Sequence, residues 1–342
     1  MPKRIAFFAD GTWDSPGNET NVYQLFKATP VTAGQVPFYA DGVGVDGKPL
    51  EKLLGGALGE GLFQKIKDGY TKIAHVYESG DEIFLFGFSR GSFTARSLAG
   101  MIAACGLPRQ GFDQQLVETA FRAYRNQAQR AALLATLSHY QLDDNPQIKM
   151  VGVWDTVGAL GIPAAFGKID TNVYGFLDTS LNAKVQHAYH ALSIDERRRE
   201  FPPTLWTLPN PPVPNQTVEQ VWFPGVHCDV GGGYAERSLA DLTLAWMMSK
   251  AAALGLEFSP AAVAPYGLPC DPKWALGEAH ESWDLIWGFP KTRELPPQPT
   301  LANSVAIRSV SAGYRPENLS FPGGTLDPAY PEEILVGPPP LP

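Results

Sequence analysis

The stretch Ile83-Phe84-Leu85-Phe86-Gly87-Phe88-Ser89-Arg90-Gly91-Ser92-Phe93-Thr94-Ala95-Arg96 decides the fold. Residues 83–88 form a near-continuous apolar run, the pattern of a strand covered on both faces. An Ala- and Leu-rich helix from Ser92 to Cys105 follows, and Gly106-Leu107-Pro108 stops it. At the junction stands Gly-Phe-Ser-Arg-Gly, a G-x-S-x-G pattern in a strand–turn–helix setting, which is the setting of a nucleophile elbow. Such a turn is tight, so small residues two before and two after the serine avoid clashes. The serine takes strained backbone that lifts its hydroxyl above the sheet. The helix start then supplies backbone N–H groups and positive dipole for a developing oxyanion. The competing reading, an ordinary glycine-rich turn, leaves the serine without this role.

Working outward, strands alternate with helices. Apolar runs at Ile5–Ala9, Val36–Ala40, Lys149–Trp154, Ala188–Ser193 and Val218–Phe223 predict strands. Helical spacing covers Asn21–Ala28, Leu62–Glu78, Gln115–Leu137 as one or two helices, and Leu239–Leu254. Gly44–Gly61 is glycine-rich and predicts a loop, or a helix under strain. The alternation predicts an α/β fold, a mostly parallel sheet flanked by helices. No repeat and no linker divides the chain. Residues 1–255 are expected to form the catalytic domain. Residues 256–342, rich in Pro and Trp, are expected to pack on it as an extension rather than fold independently, with a frayed tail at Pro338–Pro342.

A nucleophilic serine needs a base, and six histidines are available. His75 and His139 fall in helical or polar segments away from strand ends. His187 and His190 flank a strand and suit structural roles. His227 follows the strand Val218–Phe223 and Pro224-Gly225, at the carboxyl end where α/β sites assemble. After it come Asp229 and Gly231-Gly232-Gly233, which allow a close backbone approach or an unusual turn. The acid should sit on an intervening strand end, and Asp155 follows Trp154 directly. The order Ser89, Asp155, His227 results, with room for a helix and a strand in each interval. An alternative pairs Asp229 with a base at His280, and Asp229 could otherwise orient His227 or hold the glycine loop. Asp10-Gly11-Thr12 ends the first strand. Arg90 N–H, with that of Gly11 or Thr12, forms the expected oxyanion hole, and Asp10 supports the turn.

Composition removes other classes. The chain has 342 residues, 44% hydrophobic and 18% charged, with 34 glycines and 31 prolines. That suits a folded chain with many shaped loops and excludes disordered or coiled-coil classes. Net charge is −8, a poor match to nucleic acid or anionic headgroups. No phosphate loop, dinucleotide fingerprint or metal-ligand spacing appears, so no cofactor and no metal are expected. Three cysteines without CxxC spacing fit a reduced compartment. With neither a signal-peptide core nor a transmembrane run, synthesis and initial residence in the cytoplasm are expected. Any membrane contact would then be peripheral and shallow. Trp274, Trp283, Trp287 and Phe289 mark the segment for it, against the alternative that these rings pack on the core.

Seven motifs in order carry a family resemblance: FADGTWD (8–14) with TNVYQL (20–25), FYADGVGVDG (38–47), GFSRGSFTAR (87–96), VGVWDTVGALG (151–161), HALSIDERRREFPPTLW (190–206) and VWFPGVHCDVGGGY (221–234). The chain resembles the α/β-hydrolase family that includes the first family of type VI secretion lipase effectors, over residues 4–250. The resemblance implies a nucleophile at Ser89, an acid at Asp155 and a base at His227. It implies hydrolysis of a phospholipid or other acyl ester, export without a leader, and partners such as a secretion spike or an immunity protein. Ser92 and Cys228 depart conservatively from the family pattern. The chain is short beside the larger effectors, which carry extra membrane-associating segments. A soluble carboxylesterase and an inactive binding module are the rival readings.

Overall fold

The computed structural model describes residues 2–11, 14, 16–42, 58–157 and 181–337. The expected loop at Gly44–Gly61 lies mostly outside these residues, and the tail 338–342 lies wholly outside them. Among them the chain runs β1 (Arg4–Ala9), α1 (Asn21–Ala28), β2 (Gln35–Ala40), α2 (Leu58–Val76), β3 (Glu82–Phe88), α3 (Arg90–Cys105), α4 (Gln114–Arg125) and α5 (Arg130–Ala135). It continues with β4 (Gln147–Trp154), β5 (Val185–Ser193), β6 (Thr217–Phe223), α6 (His227–Gly231), α7 (Ser238–Ala253), β7 (Thr300–Ala302), α8 (Ser304–Ala312) and β8 (Glu332–Glu333). These eight strands form one sheet in the order β8-β7-β6-β5-β4-β3-β1-β2, with every pairing parallel, and the two-residue segments Leu107–Pro108 and Leu142–Asp143 pair separately as a short antiparallel ladder.

Strand parity divides the core. Ile5, Phe7, Ile83 and Leu85 face α2, α3 and α4, in one cluster with Ile66, Leu98 and Phe121. Ala6, Phe8, Phe84 and Phe86 face the other way, in one cluster with Val22, Leu25, Leu244 and Trp246 of α1 and α7. Each strand is therefore apolar on both sides, which is why its sequence reads as an unbroken hydrophobic run. The order also reverses at β1: the chain moves to β2 on one side and to β3 on the other. The carboxyl ends of β1 and β3 thus flank the crevice where open α/β sheets place their ligands.

The elbow is built as its sequence demands. Ser89 has φ 56° and ψ −122°, a conformation that costs a non-glycine residue of order 1–3 kcal/mol. A Cβ on Gly87 would lie 2.4 Å from Gly91 O, and one on Gly91 would lie 2.1 Å from Ala9 O and 2.5 Å from Asp10 O. These neighbours are backbone and cannot swing aside. Ser92 Oγ donates to Gly87 O (2.8 Å) and Trp154 O (2.9 Å), pinning the turn to both strands. Gly91→Ala should therefore destabilise the fold by about 3 kcal/mol, visible as a lowered denaturant midpoint at unchanged slope. An unchanged midpoint would mean that β1 can move away from α3.

Candidate active site

Three backbone hydrogen bonds continue the ladders past the strand ends: Ser89 N to Trp154 O (3.0 Å), Asp155 N to Ala191 O (2.7 Å) and Ile194 N to Phe223 O (3.0 Å). They set Ser89, Asp155 and the start of the post-β5 loop side by side on one rim. Asp155 is fully buried and, with φ 38°, takes left-handed backbone at its strand end. His227 opens α6 after the turn at Gly225 and is also buried. Its Nδ1 bonds Asp155 Oδ2 at 2.5 Å, which leaves Nε2 as the ring nitrogen for a substrate-side proton. Phe88 lies against the imidazole at 4.6 Å between centroids, and Phe201 meets it edge-on at 5.1 Å. Gly231 makes room for that packing, since a Cβ there would stand 1.9 Å from Phe88 Cε2. Gly232 and Gly233 follow at positive φ, the unusual turn expected of the glycine triplet.

Electrostatics fix the charge states. Burial pushes the Asp155 carboxyl up, but Arg293 and His227 outweigh it and hold the group well below the usual carboxylate range. Burial lowers the His227 pKa more than its bond to Asp155 raises it, so the ring rests neutral near pH 7. Beneath His227, buried Glu196 accepts from His227 N (3.3 Å) and Ser282 Oγ (2.8 Å). Burial works against its charge, yet its fork with Arg198 keeps its pKa at about 2. Arg198 in turn stacks on Phe201, 3.7 Å above the ring centroid.

The other expected residues fall as follows. Arg90 is the first residue of α3, directly after Ser89, and is buried, which puts its amide at the positive end of the helix. Gly11 lies against Ser89, since a Cβ there would stand 3.3 Å from Ser89 Cβ. Its amide, however, already donates to Asp10 Oδ1 (2.9 Å), so Gly11 N–H is not an open oxyanion donor in this arrangement. Thr12 lies outside the described residues. Asp10 is a junction: Thr20 Oγ1 and Tyr39 OH each donate to its Oδ2 at 2.7 Å, tying β1 to α1 and β2. Burial raises its pKa to about 6 against the pull of those bonds. Asp229 turns away from the His227 ring. Its Oδ2 accepts from Val226 N (2.9 Å), and its Oδ1 meets His280 Nδ1 (2.6 Å), so the Asp229–His280 pair does form as a second dyad. His280 stacks on Tyr234 at 3.9 Å. His190 is buried, accepts from Thr156 N through Nε2, and has its pKa pushed down to about 3, chiefly by burial, so it stays neutral.

Three groups went unassigned in the sequence. Arg293 grips Asp155, Glu196 supports the amide of His227, and the Asp14 carboxyl crowds Gly11 beside Ser89, at 2.3 Å from a Cβ placed there. Burial, with Asp10 adding, raises Asp14 to about 7. Glu196, in the charged run 195–199 directly after a strand, and Asp14, the last residue of FADGTWD, stand in motifs of the sequence, whereas Arg293 stands in none. Among the described residues, no group of three or more His, Cys, Asp and Glu side chains is placed to hold a metal ion.

An uncharacterized protein of Saccharomyces cerevisiae, YEL023C, is 24% identical over 407 aligned positions, covering 76% of this chain and 58% of that protein. The chain thus spans little more than half of that relative's length. A crystal structure of an uncharacterized protein from Pseudomonas aeruginosa aligns with TM-score 0.44 and 16% identity, over 78% of this chain and 49% of the other. The family model described as type VI secretion system phospholipase effector Tle1-like, catalytic domain, matches residues 3–250, which hold Ser89, Asp155 and His227. The chain belongs to that family of Tle1-like phospholipase effector catalytic domains.

Proposed function

We propose that this chain is a serine ester hydrolase acting on phospholipid. The observation that carries the reading is the buried Asp155–His227 hydrogen bond on the rim shared with the Ser89 elbow. Ser89 Oγ attacks the ester carbonyl while His227 Nε2 takes its proton. The tetrahedral oxyanion is stabilised by Arg90 N–H at the α3 N-terminus. Collapse expels the alcohol, which receives the proton from His227, and water repeats the sequence to release the acid and free Ser89. Asp155 keeps Nδ1 protonated and steadies the imidazolium. The family match supports phospholipid as the acyl donor and a type VI secretion effector as the setting; a secretion spike and an immunity protein are the partners that this setting would require. Fatty-acid release from phosphatidylethanolamine–phosphatidylglycerol vesicles tests the reading. Wild type should release fatty acid and lysophospholipid, and Ser89→Ala should not. Turnover of small soluble esters alone would favour a carboxylesterase, and no turnover of either would favour a binding module.

The same reading includes shallow membrane contact. No helix among the described residues is long and apolar enough to cross a membrane. Trp283 and Trp287 are half-buried: Trp283 Nε1 donates to Gly288 O, and Trp287 meets Phe201 edge-on. Trp274 packs toward Tyr266. Among the described residues of this segment, Leu285 (86%) and Phe289 (90%) are far more exposed than Leu276 (45%), and both lie on the turn that Trp287 ties to Phe201 and so to His227. Burying either is worth roughly 1.5–3 kcal/mol. Leu285→Ser with Phe289→Ser should cut vesicle hydrolysis at least about tenfold and spare a soluble ester. Equal loss on both substrates would place the docking surface elsewhere.

A further inference from the structure

We infer that Arg293 is a positioning residue of the active site, reaching in from beyond the family-matched residues to fix Asp155 against His227. The inference rests on the hydrolase reading above for its catalytic meaning. Its geometry is independent of that reading. Arg293 is 6% exposed and spends four N–H groups on the rim. Nη1 donates to Asp155 Oδ1 (2.6 Å) and Ser193 O (2.8 Å). Nη2 donates to Asp155 Oδ2 (2.9 Å) and Phe201 O (2.8 Å). Ser193 N adds a bond to Asp155 Oδ1 (3.0 Å). Both carboxylate oxygens are thereby fixed, and Oδ2 is left facing His227 Nδ1. A planar fork does this and an ammonium cannot, since only the guanidinium matches a carboxylate at two points.

The fork has an electrostatic consequence. A bare aspartate beside His227 would favour the imidazolium strongly. Arg293 offsets that charge and so works with the burial of the ring, letting Asp155 orient the imidazole and keep Nδ1 protonated without drawing a second proton onto it. The other charged groups facing the pair are Arg198, which opposes protonation of His227, and Glu196, which favours it and is itself forked to Arg198. His190, behind Asp155, is neutral, and Asp229 on α6 is engaged by His280. Arg293 is thus the cation bonded directly to the acid. Removing it leaves a buried carboxylate beside an imidazole, and that pair takes up a proton at higher pH whichever partner holds it.

The test uses the full chain. The downfield Nδ1–H proton resonance of His227, assigned by its loss in His227→Gln, is titrated without substrate. The pH profile of kcat/KM on a soluble ester is measured alongside. Arg293→Gln should move the His227 midpoint up by about one pH unit or more, carry the acid limb of kcat/KM with it, and lower the plateau about 10- to 100-fold. Arg293→Lys, which keeps the charge and loses the fork, should hold the midpoint near wild type while its plateau falls about tenfold. A folded Arg293→Gln with an unmoved midpoint overturns the proposal, as does Arg293→Lys with a wild-type plateau and profile. Should Arg293→Gln fail to fold, Arg293→Lys decides on those same terms. Midpoints that move as expected in a chain with no esterase activity would sink the hydrolase reading and leave the hold of Arg293 on the pair standing.

Discussion

Ser89→Ala should abolish ester hydrolysis, with kcat falling on the order of 10⁴-fold or more, while the fold survives. The side chain lost is a single hydroxyl that makes no capping hydrogen bond to α3, so its removal strands no amide of that helix. Alanine also meets the same backbone strain as serine at φ 56° and changes no contact of Gly87, Gly91 or Ser92. Thermal stability should therefore match or slightly exceed wild type. A folded variant with activity near wild type would place the nucleophile elsewhere.

Asp155→Asn should cost both chemistry and stability. The amide donates where the carboxylate accepted, so His227 is held in the wrong tautomer and kcat falls about 10³–10⁴-fold. Arg293 is at the same time left with its charge buried and unpaired, a loss of about 3–5 kcal/mol. Asp229→Asn should be far milder. It weakens the bond to Val226 N at the start of α6, about 1 kcal/mol, and disturbs His280, which bonds Asp229 and not Asp155. Comparing kcat/KM and denaturant midpoints for the two variants checks both halves. A larger kinetic loss in Asp229→Asn would transfer the acid role to the Asp229–His280 dyad.

The central strands were legible because each is buried on both faces. Residues 83–88 and 149–154 read as strands in the sequence and match β3 and β4 within two residues at each end. The sheet's far edge was not legible. β7 has three residues and β8 two, too short for any periodicity to show. α8 was missed because it sits in a Pro-rich region after such a fragment. The elbow and the Asp155–His227 pairing could be read because strand ends order them along the chain. Arg293 could not, since it stands in Lys291-Thr292-Arg293-Glu294, which resembles a solvated charge run, and its partner lies 138 residues away. Gly11 shows the opposite failure. Its position beside Ser89 followed from the sequence, but the direction of its amide depends on the Asp10 side chain, which no spacing reveals. For the tryptophans, composition marked a segment rich in large apolar side chains but not how far each ring packs: Trp283 and Trp287 are half-buried, while Leu285 and Phe289 stand exposed.

The most direct measurement is fluorophosphonate labelling of the full chain followed by peptide mass mapping. The phosphonyl adduct should sit on the peptide containing Ser89, be lost in Ser89→Ala, and form on the order of 10³-fold more slowly in His227→Ala. An adduct on another serine, or labelling of Ser89 that is indifferent to His227, would contradict the assignment of Ser89 and His227 as nucleophile and base.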